Sequence, residues 1–414
     1  MSRPSLVQPT PNPTTAASQS VPSAVRRPPS EMRAAITLGI IGGGQLGKMT
    51  AQAAVQFGCE VVVLERQAEF PAVSLATRTL IGDWDEPESL LALASLVDVV
   101  TFENEFVDAD ALAVLEQRGH TLRPSSATMR LIQDKLVQKQ TLADAGLSLP
   151  RFADAPTQTA VAAAAAQFGW PLVLKRRKLS YDGKGNATLR TAADLEVSWR
   201  QLDGDNHPLY VEEHCPFTME LAVIVTRGQS GEVVLYPVTE TIHRHHICHI
   251  TRTPAPVSAE IASRAGELAR RAAEIIGIVG SMGLELFVRK DGVLLINEVS
   301  PRVHNSGHYT IEACECSQFE NHVRAVLGWP LGSPALRAPA AVMVNLLASA
   351  DGPGRPQGLA EALRVAGAHV HIYGKARSGQ GRKMGHVAAL GNTLADALMT
   401  AECAAREIHF GDPA

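Results

Sequence analysis

Leu294-Leu295-Ile296-Asn297-Glu298-Val299-Ser300-Pro301-Arg302-Val303-His304-Asn305-Ser306-Gly307-His308-Tyr309 is the stretch on which the reading of this 414-residue chain turns. It opens as a short apolar run behind the turn pair Asp291-Gly292, the pattern of a buried strand. A carboxamide and a carboxylate, Asn297 and Glu298, stand where that strand ends. The loop beyond carries a guanidinium, two imidazoles, a second carboxamide and a hydroxyl. Oxygen ligands delivered by a strand, followed by a donor-rich loop, suit a metal-bound phosphate beside an anionic substrate.

Around this stretch the composition is that of an ordinary globular protein: 45% hydrophobic residues and a formal net charge of -4. That balance points to neither nucleic acid nor a membrane surface as partner. No apolar run reaches spanning length; Leu90–Val100 is broken by Ser95 and Asp98. The six cysteines (Cys59, Cys215, Cys248, Cys314, Cys316 and Cys403) have no framework spacing, as expected of reduced thiols in a cytoplasmic protein. Cys314-x-Cys316 lacks a second pair and reads as packing. Residues 1–34, rich in Pro, Ser, Thr and Ala and poor in large apolar groups, are expected to be a disordered tail. Their Arg and Ser content resembles a transit peptide only weakly, because the prolines spoil an amphipathic helix.

Order is expected from Ala35. A strand through Ile41, the turn Gly42-Gly43-Gly44-Gln45-Leu46-Gly47, a helix to about Phe57 and a strand over 60–65 form one unit. Gly42, Gly44 and Gly47 have the G-x-G-x-x-G spacing, and Glu65 ends the second strand where a dinucleotide-binding fold holds a ribose. Such a turn followed by a helix amino terminus attracts any phosphate, so the motif alone does not name a nicotinamide enzyme. With a further strand, Val97–Glu103, a Rossmann-like domain over 35–128 is predicted. A middle domain over 129–335 carries a helix from Asp134, a strand Pro171–Lys175, a glycine-containing loop Ser180–Asn186, strands at 209–213 and 220–225, a helix from about Ser258 to Ile276, and two strands ending near Glu285 and Glu298. A small domain over 336–414 begins with Ala341–Leu347 and is expected to fold back toward the middle one.

Lys135, Lys175, the glycine loop and the paired acids Glu285 and Glu298 are the parts a nucleoside triphosphate needs. Lysines neutralise phosphate oxygens, a glycine loop covers them with backbone N–H groups, and carboxylates with Asn297 hold Mg²⁺. A P-loop signature is absent. The run His243-Arg244-His245-His246-Ile247-Cys248-His249 matches no closed zinc spacing and reads as a strand and loop beside the nucleotide.

In this order the parts resemble the ATP-grasp superfamily and, within it, the 5-(carboxyamino)imidazole ribonucleotide synthase family. The resemblance rests on Gly42–Met49, Thr101–Glu105, Gln138–Gln140, Lys175–Arg177, Tyr181–Gly185, Asn297–His308 and Gly381–His386, and covers roughly residues 35–400. It implies an α/β and α+β architecture: an ATP-grasp fold between an N-terminal Rossmann-like pre-ATP-grasp domain and a small C-terminal domain. It further implies that Lys135 and Lys175 contact the phosphates of ATP. Ser180, Tyr181, Asp182, Gly183, Lys184, Gly185 and Asn186 would form the lid. Glu212, Glu213, His214 and Cys215 would meet the adenine and Glu220 the ribose, with His243 near the nucleotide. Glu285, Glu298 and Asn297 would ligate magnesium. Aminoimidazole ribonucleotide would lie against Tyr181, Asp182, Lys184, Arg302, His304, Asn305 and Ser306. Lys375, Arg382 and Lys383 would clamp its phosphate together with Gly44, Gln45 and Leu46.

The catalytic groups implied are Lys175, Asp182, Arg302 and His304, with Asp182 or His304 handling protons, bicarbonate as co-substrate, and a homodimeric assembly. Two departures from the family pattern are Lys184, where many relatives have Arg, and the polar run Glu213-His214-Cys215-Pro216. The alternatives are a formate-dependent glycinamide ribonucleotide formyltransferase, a dinucleotide-binding reductase and a catalytically silent nucleotide-binding protein.

Overall fold

β1 (Thr37–Ile41) is buried along its whole length and heads a four-stranded parallel sheet of order β3-β2-β1-β4. Its companions are β2 (Glu60–Glu65), β3 (Arg78–Ile81) and β4 (Val99–Phe102). The inner strands read as unbroken apolar runs because both faces are covered. The edge strand β3 is mostly exposed and carries no such signal. The computed structural model describes residues 35–179 and 185–411; the expected tail 1–34 and Ser180, Tyr181, Asp182, Gly183 and Lys184 of the expected lid lie outside the described residues.

A second, antiparallel sheet of order β5-β8-β6-β7 follows, built from β5 (Phe152–Ala155), β6 (Leu172–Arg176), β7 (Asn186–Leu189) and β8 (Leu209–Glu213). Strand alternation sorts its side chains. Leu172, Leu174, Leu209 and Val211 pack with Trp199 and Val161 in one core. Val173, Lys175, Tyr210 and Glu212 take the other face, which lines a cavity.

The remaining strands are β9 (Phe217–Arg227), β10 (Val233–Leu235), β11 (Thr239–Arg244), β12 (Ile247–Thr253), β13 (Gly280–Arg289), β14 (Leu294–Ser300) and β15 (Ala340–Leu347). After them come β16 (Gly352–Pro353), β17 (Ala368–Ile372), β18 (Arg377–Ser378) and β19 (Lys383–Gly391). One sheet runs β14-β13-β9-β11-β12-β15-β19-β17, with β10 on β9, while β16 and β18 form a separate ribbon. The C-terminal strands therefore extend the central sheet through the β12–β15 pairing.

Helices Lys135–Asp144 and Ala259–Ile276 cover one face of that sheet. Leu142, Ala269, Ala273 and Ile276 pack there against Leu221, Val223, Leu284, Leu286 and Ile296. Ser258 caps the longer helix by accepting the Ile261 N–H, and Gly277 ends it in the left-handed conformation. The helix expected from Asp134 starts one residue later because Asp134 is its cap, accepting N–H bonds from Leu136 and Val137. The opposite sheet face is left to Glu220, Glu285 and Phe287, which line the cavity.

Candidate active site

The cavity has a volume of about 1950 Å³ and lies among the second sheet, the central sheet, the loop after β4 and the loop 379–383. At one end β13 and β14 deliver their acids. Glu285 pairs with Glu298 across the strands, but Leu286 pairs with Ile296, so Asn297 is the extra residue of a β-bulge. A bulge re-aims side chains, and here it brings Asn297 beside Glu285, donating from Nδ2 to Oε2 at 3.4 Å. Two carboxylates facing each other across a ladder repel. Burial, and then the Glu298 charge, push the Glu285 carboxyl up to about 7. Lys135, the first residue of its helix, contacts Glu298 through Nζ.

This donor set fits a divalent cation: two carboxylates that face each other across the strands, repelling enough to raise Glu285, with a carboxamide beside them. Among the described residues no three His, Cys, Asp or Glu side chains converge as a ready-made metal cage. Most of the coordination sphere would thus be left to phosphate oxygens and water, the usual mode for magnesium.

Deeper along the same wall, Lys175 Nζ donates to Glu212 Oε2 at 2.6 Å and Lys139 Nζ pairs with Glu212 Oε1 at 2.7 Å. Burial alone would raise the Glu212 carboxyl, but the two lysines outweigh it and hold it at about 2. Lys139 also donates to the Asn297 carbonyl at 2.9 Å, so it ties the second sheet to the bulge. The sequence reading placed Lys135 and Lys175 but gave Lys139 no role. The missed signal was its position four residues after Lys135, on the same helix face. Glu213, His214, Cys215 and Asn186 line the cavity; the Gly185 carbonyl accepts the Arg176 N–H at 2.9 Å. Glu220 contacts His243 Nδ1, and although burial opposes it that carboxylate raises the imidazole. His243 and His249 lie on the two arms of a hairpin that turns at His245 and His246, both in the left-handed region.

The opposite end is built from the loop after β14 and the C-terminal loops. Arg302 Nη2 donates to Glu105 Oε1 at 3.1 Å, and its Nε contacts the other carboxylate oxygen. Burial would raise Glu105, but Arg302 outweighs it, so its net direction is down. His304 Nδ1 lies 2.8 Å from Ser306 Oγ, and its Nε2 is 3.5 Å from Glu285 Oε1. His304 therefore touches the acid end from the loop side. Asn305, Lys375, Arg382 and Lys383 line this end, with Lys375 Nζ donating to the Lys383 carbonyl at 2.7 Å. Ser306 is buried behind His304 and does not line the cavity.

The glycine turn differs from the expectation in an instructive way. Glu103, at the end of β4, accepts the Gly44 N–H at 2.6 Å and the Gly47 N–H at 2.7 Å. Glu65 accepts the Gly43 N–H at 2.8 Å. The cradle that would hold a pyrophosphate is filled by the protein's own carboxylates, which leaves no room for a dinucleotide there. Gly44 is needed because a Cβ would collide with the Glu103 carboxylate, and its N–H does not serve a ligand. Gln45 and Leu46 do line the cavity. Glu103 and Glu105 were visible only as acids ending a strand. Their partners are 56 or more residues away in sequence, so spacing could not assign them.

Three family models match the chain: the ribonucleotide synthetase preATP-grasp domain over residues 35–133, the ATP-grasp domain over 140–319, and the phosphoribosylaminoimidazole carboxylase C-terminal domain over 341–400. The N5-carboxyaminoimidazole ribonucleotide synthase of Synechococcus elongatus is 42% identical over 351 residues, covering 84% of this chain and 88% of that protein. The chloroplastic phosphoribosylaminoimidazole carboxylase of Vigna aconitifolia is 40% identical over 363 residues, 87% of this chain but only 65% of the relative's own length. This chain thus spans less than two thirds of that longer relative. Among solved structures, N5-carboxyaminoimidazole synthase from Aspergillus clavatus, in complex with ADP and 5-aminoimidazole ribonucleotide, matches with a TM-score of 0.82 and 33% identity. That match covers 90% of this chain and 99% of the other. By this likeness over nearly its whole described length, the chain belongs to the N5-carboxyaminoimidazole ribonucleotide synthase family of ATP-grasp ligases.

Proposed function

We propose that the protein carboxylates 5-aminoimidazole ribonucleotide with bicarbonate at the expense of ATP, forming N5-carboxyaminoimidazole ribonucleotide, ADP and phosphate. The observation that carries this reading is the two-ended cavity. One strand exit supplies Asn297 and Glu298 to the acid end, and five residues later Arg302, His304 and Asn305 to the basic end. Nucleotide phosphates fit between Lys135, Lys175 and the acid pair. A ribonucleotide phosphate fits among Lys375, Arg382, Lys383 and the first amides of the helix at Gln45 and Leu46.

In this scheme a bicarbonate oxygen attacks the γ-phosphorus, the bond to ADP breaks, and carboxyphosphate forms. Lys135 and Lys175 offset charge on the phosphate oxygens, and Arg302 and His304 hold the bicarbonate against them, so positioning and electrostatics carry the step. Glu285, Glu298 and Asn297 would hold magnesium, which supplies charge neutralisation across the phosphates. Carboxyphosphate then divides into CO₂ and phosphate, and the exocyclic amine of the ribonucleotide captures the CO₂ and loses a proton. Enclosure matters because water would hydrolyse carboxyphosphate. The lid assigned to this task, Ser180–Lys184 with Gly185 and Asn186, and the proton role of Asp182 belong to the proposal.

The relatives' names support this substrate pair, and the Aspergillus clavatus complex places ADP and 5-aminoimidazole ribonucleotide in a matching fold. No helix among the described residues is long and apolar enough to cross a membrane; a cytoplasmic location and a homodimeric assembly, which the family resemblance implies, belong to the proposal. An ADP-release assay tests the function. Release should require bicarbonate and 5-aminoimidazole ribonucleotide together, whereas release with formate and glycinamide ribonucleotide instead would establish the sibling formyltransferase.

A further inference from the structure

Behind the basic end of the cavity, three adjacent strands present one polar residue each in a single row, buried at Asn345 and His386 and partly exposed at His371. Asn345 on β15 is the register partner of His386 on β19, which is the partner of His371 on β17. The segment that follows the Arg302 loop is helical over Asn305–Gly307 and Thr310–Ala313, so Asn305, His308 and Glu312 share one of its faces. Each of the three meets one member of the row. Asn305 and Asn345 exchange carboxamide hydrogen bonds at 3.0 and 2.7 Å, and Asn345 Nδ2 also reaches the Cys248 carbonyl at 3.0 Å. The His308 ring packs on His386 at 4.9 Å between centroids. Glu312 Oε1 is 2.6 Å from His371 Nε2, and His371 stacks on His386 at 4.4 Å.

The row is tied to the phosphate side as well. His386 lies on the strand that opens with Lys383, and its Nδ1 meets the Tyr373 hydroxyl at 3.1 Å. Tyr373 is followed two residues later by Lys375, and Lys48 from the first helix donates to the Ile372 and Tyr373 carbonyls at 3.1 Å each. Of the six side chains in the matched rows, Asn305 alone lines the cavity. Asn345, His308 and His386 are fully buried: the Asn345 carboxamide is satisfied by its hydrogen bonds, whereas both His308 ring nitrogens and His386 Nε2 have none among the described residues, so these rings are held by packing on each other.

We propose that the row Asn345–His386–His371, engaged by Asn305, His308 and Glu312, is a positioning element that fixes the distance between the Arg302–Asn305 loop and the Lys375 and Lys383 loops. It thereby sets affinity for the ribonucleotide and leaves ATP binding untouched. The inference rests on the assignment of those two loops to the ribonucleotide. A purely structural role for the row would lower stability without separating the two substrates.

The test is steady-state ADP release by the full-length protein, varying ATP and 5-aminoimidazole ribonucleotide in turn, for Asn345→Leu, His371→Ala, Glu312→Ala, the double variant of the last two, and Glu312→Gln. Asn345→Leu and His371→Ala should each raise the KM for ribonucleotide about tenfold while the KM for ATP stays within about twofold. The His371→Ala and Glu312→Ala effects should be non-additive, and Glu312→Gln, which can still accept from His371, should restore a near wild-type KM. His371 and Glu312 are partly exposed, so their variants fold even if Asn345→Leu does not. Unchanged ribonucleotide KM values, or equal rises for both substrates, would overturn the positioning role alone. Failure of the wild-type protein to release ADP with this ribonucleotide would overturn the functional reading and the inference with it.

Discussion

Lys139→Met isolates the buried charge pair that joins the second sheet to the strand exit. The Lys139 and Glu212 side chains are 2% and 3% exposed, so solvent screens little of their interaction. Holding the Glu212 carboxyl at about 2 against an ordinary 4.5 corresponds to roughly 3 kcal/mol in favour of the charged form. Lys139 and Lys175 share that stabilisation. Methionine removes one share and also strips the donor from the Asn297 carbonyl, a further ~1 kcal/mol. The sum is about 3 kcal/mol, at the low end of what removing one partner of a buried pair costs, because Lys175 remains.

Urea-induced unfolding near pH 7 measures this directly. The double variant Lys139→Met/Glu212→Leu should recover part of the loss, since it no longer buries a half-paired carboxylate. The pH dependence has a definite sign. A depressed carboxyl stabilises the fold above its unfolded value and loses that stabilisation as the pH falls toward the folded one, here from about 4.5 to about 2. In Lys139→Met the loss should still begin near 4.5 but end at higher pH and be smaller in total, because the folded carboxyl is less depressed. A destabilisation below ~1 kcal/mol, with no recovery in the double variant, would show that the Lys139–Glu212 pair does not hold the second sheet to the strand exit.

Three further outcomes follow from the same geometry. His322 is buried, bonded to Thr101 Oγ1 and Ser281 N, and burial lowers it to about 4; the unfolded chain binds a proton below about 6.5 that the folded one refuses, so stability should fall by roughly 2 kcal/mol between pH 6.5 and 5 from this residue. Unfolding midpoints of the wild type and His322→Gln across that range check it, the variant showing the shallower slope. Glu298→Gln should cut turnover by about a hundredfold or more and raise the magnesium requirement, read as kcat against magnesium concentration; wild-type turnover at low magnesium would remove Glu298 from the metal-binding role. Arg302→Ala should raise the KM for ribonucleotide far more than that for ATP in the same ADP-release assay, and an equal rise in both would displace the ribonucleotide from the Arg302 end.

Much of this site was legible because its residues are local in sequence. Asn297, Glu298, Arg302, His304 and Asn305 lie within one strand exit, and Lys175 ends a strand that could be read from the short apolar run before it. What alternation could not show was the bulge at Asn297, since the register of β13 against β14 is a tertiary property. The glycine turn was misleading by itself. Whether its amides await a phosphate or are already engaged depends on Glu103, which is distant in sequence. Lys139 stood in view as a charged helix residue, and only the neighbouring sheet makes it a buried link. The C-terminal row was illegible for the same reason: Asn345, His371 and His386 become neighbours only once three strands are in register.

In the proposed chemistry bicarbonate is phosphorylated where the acid end meets Arg302 and His304, and the ribonucleotide amine captures the resulting carboxyl carbon. Transfer of label from ¹⁸O-bicarbonate tests it most directly, with phosphate analysed by mass spectrometry during turnover with ATP and 5-aminoimidazole ribonucleotide. One ¹⁸O should appear in each phosphate released, in step with ADP. Phosphate free of label, its oxygen drawn from water, would contradict it.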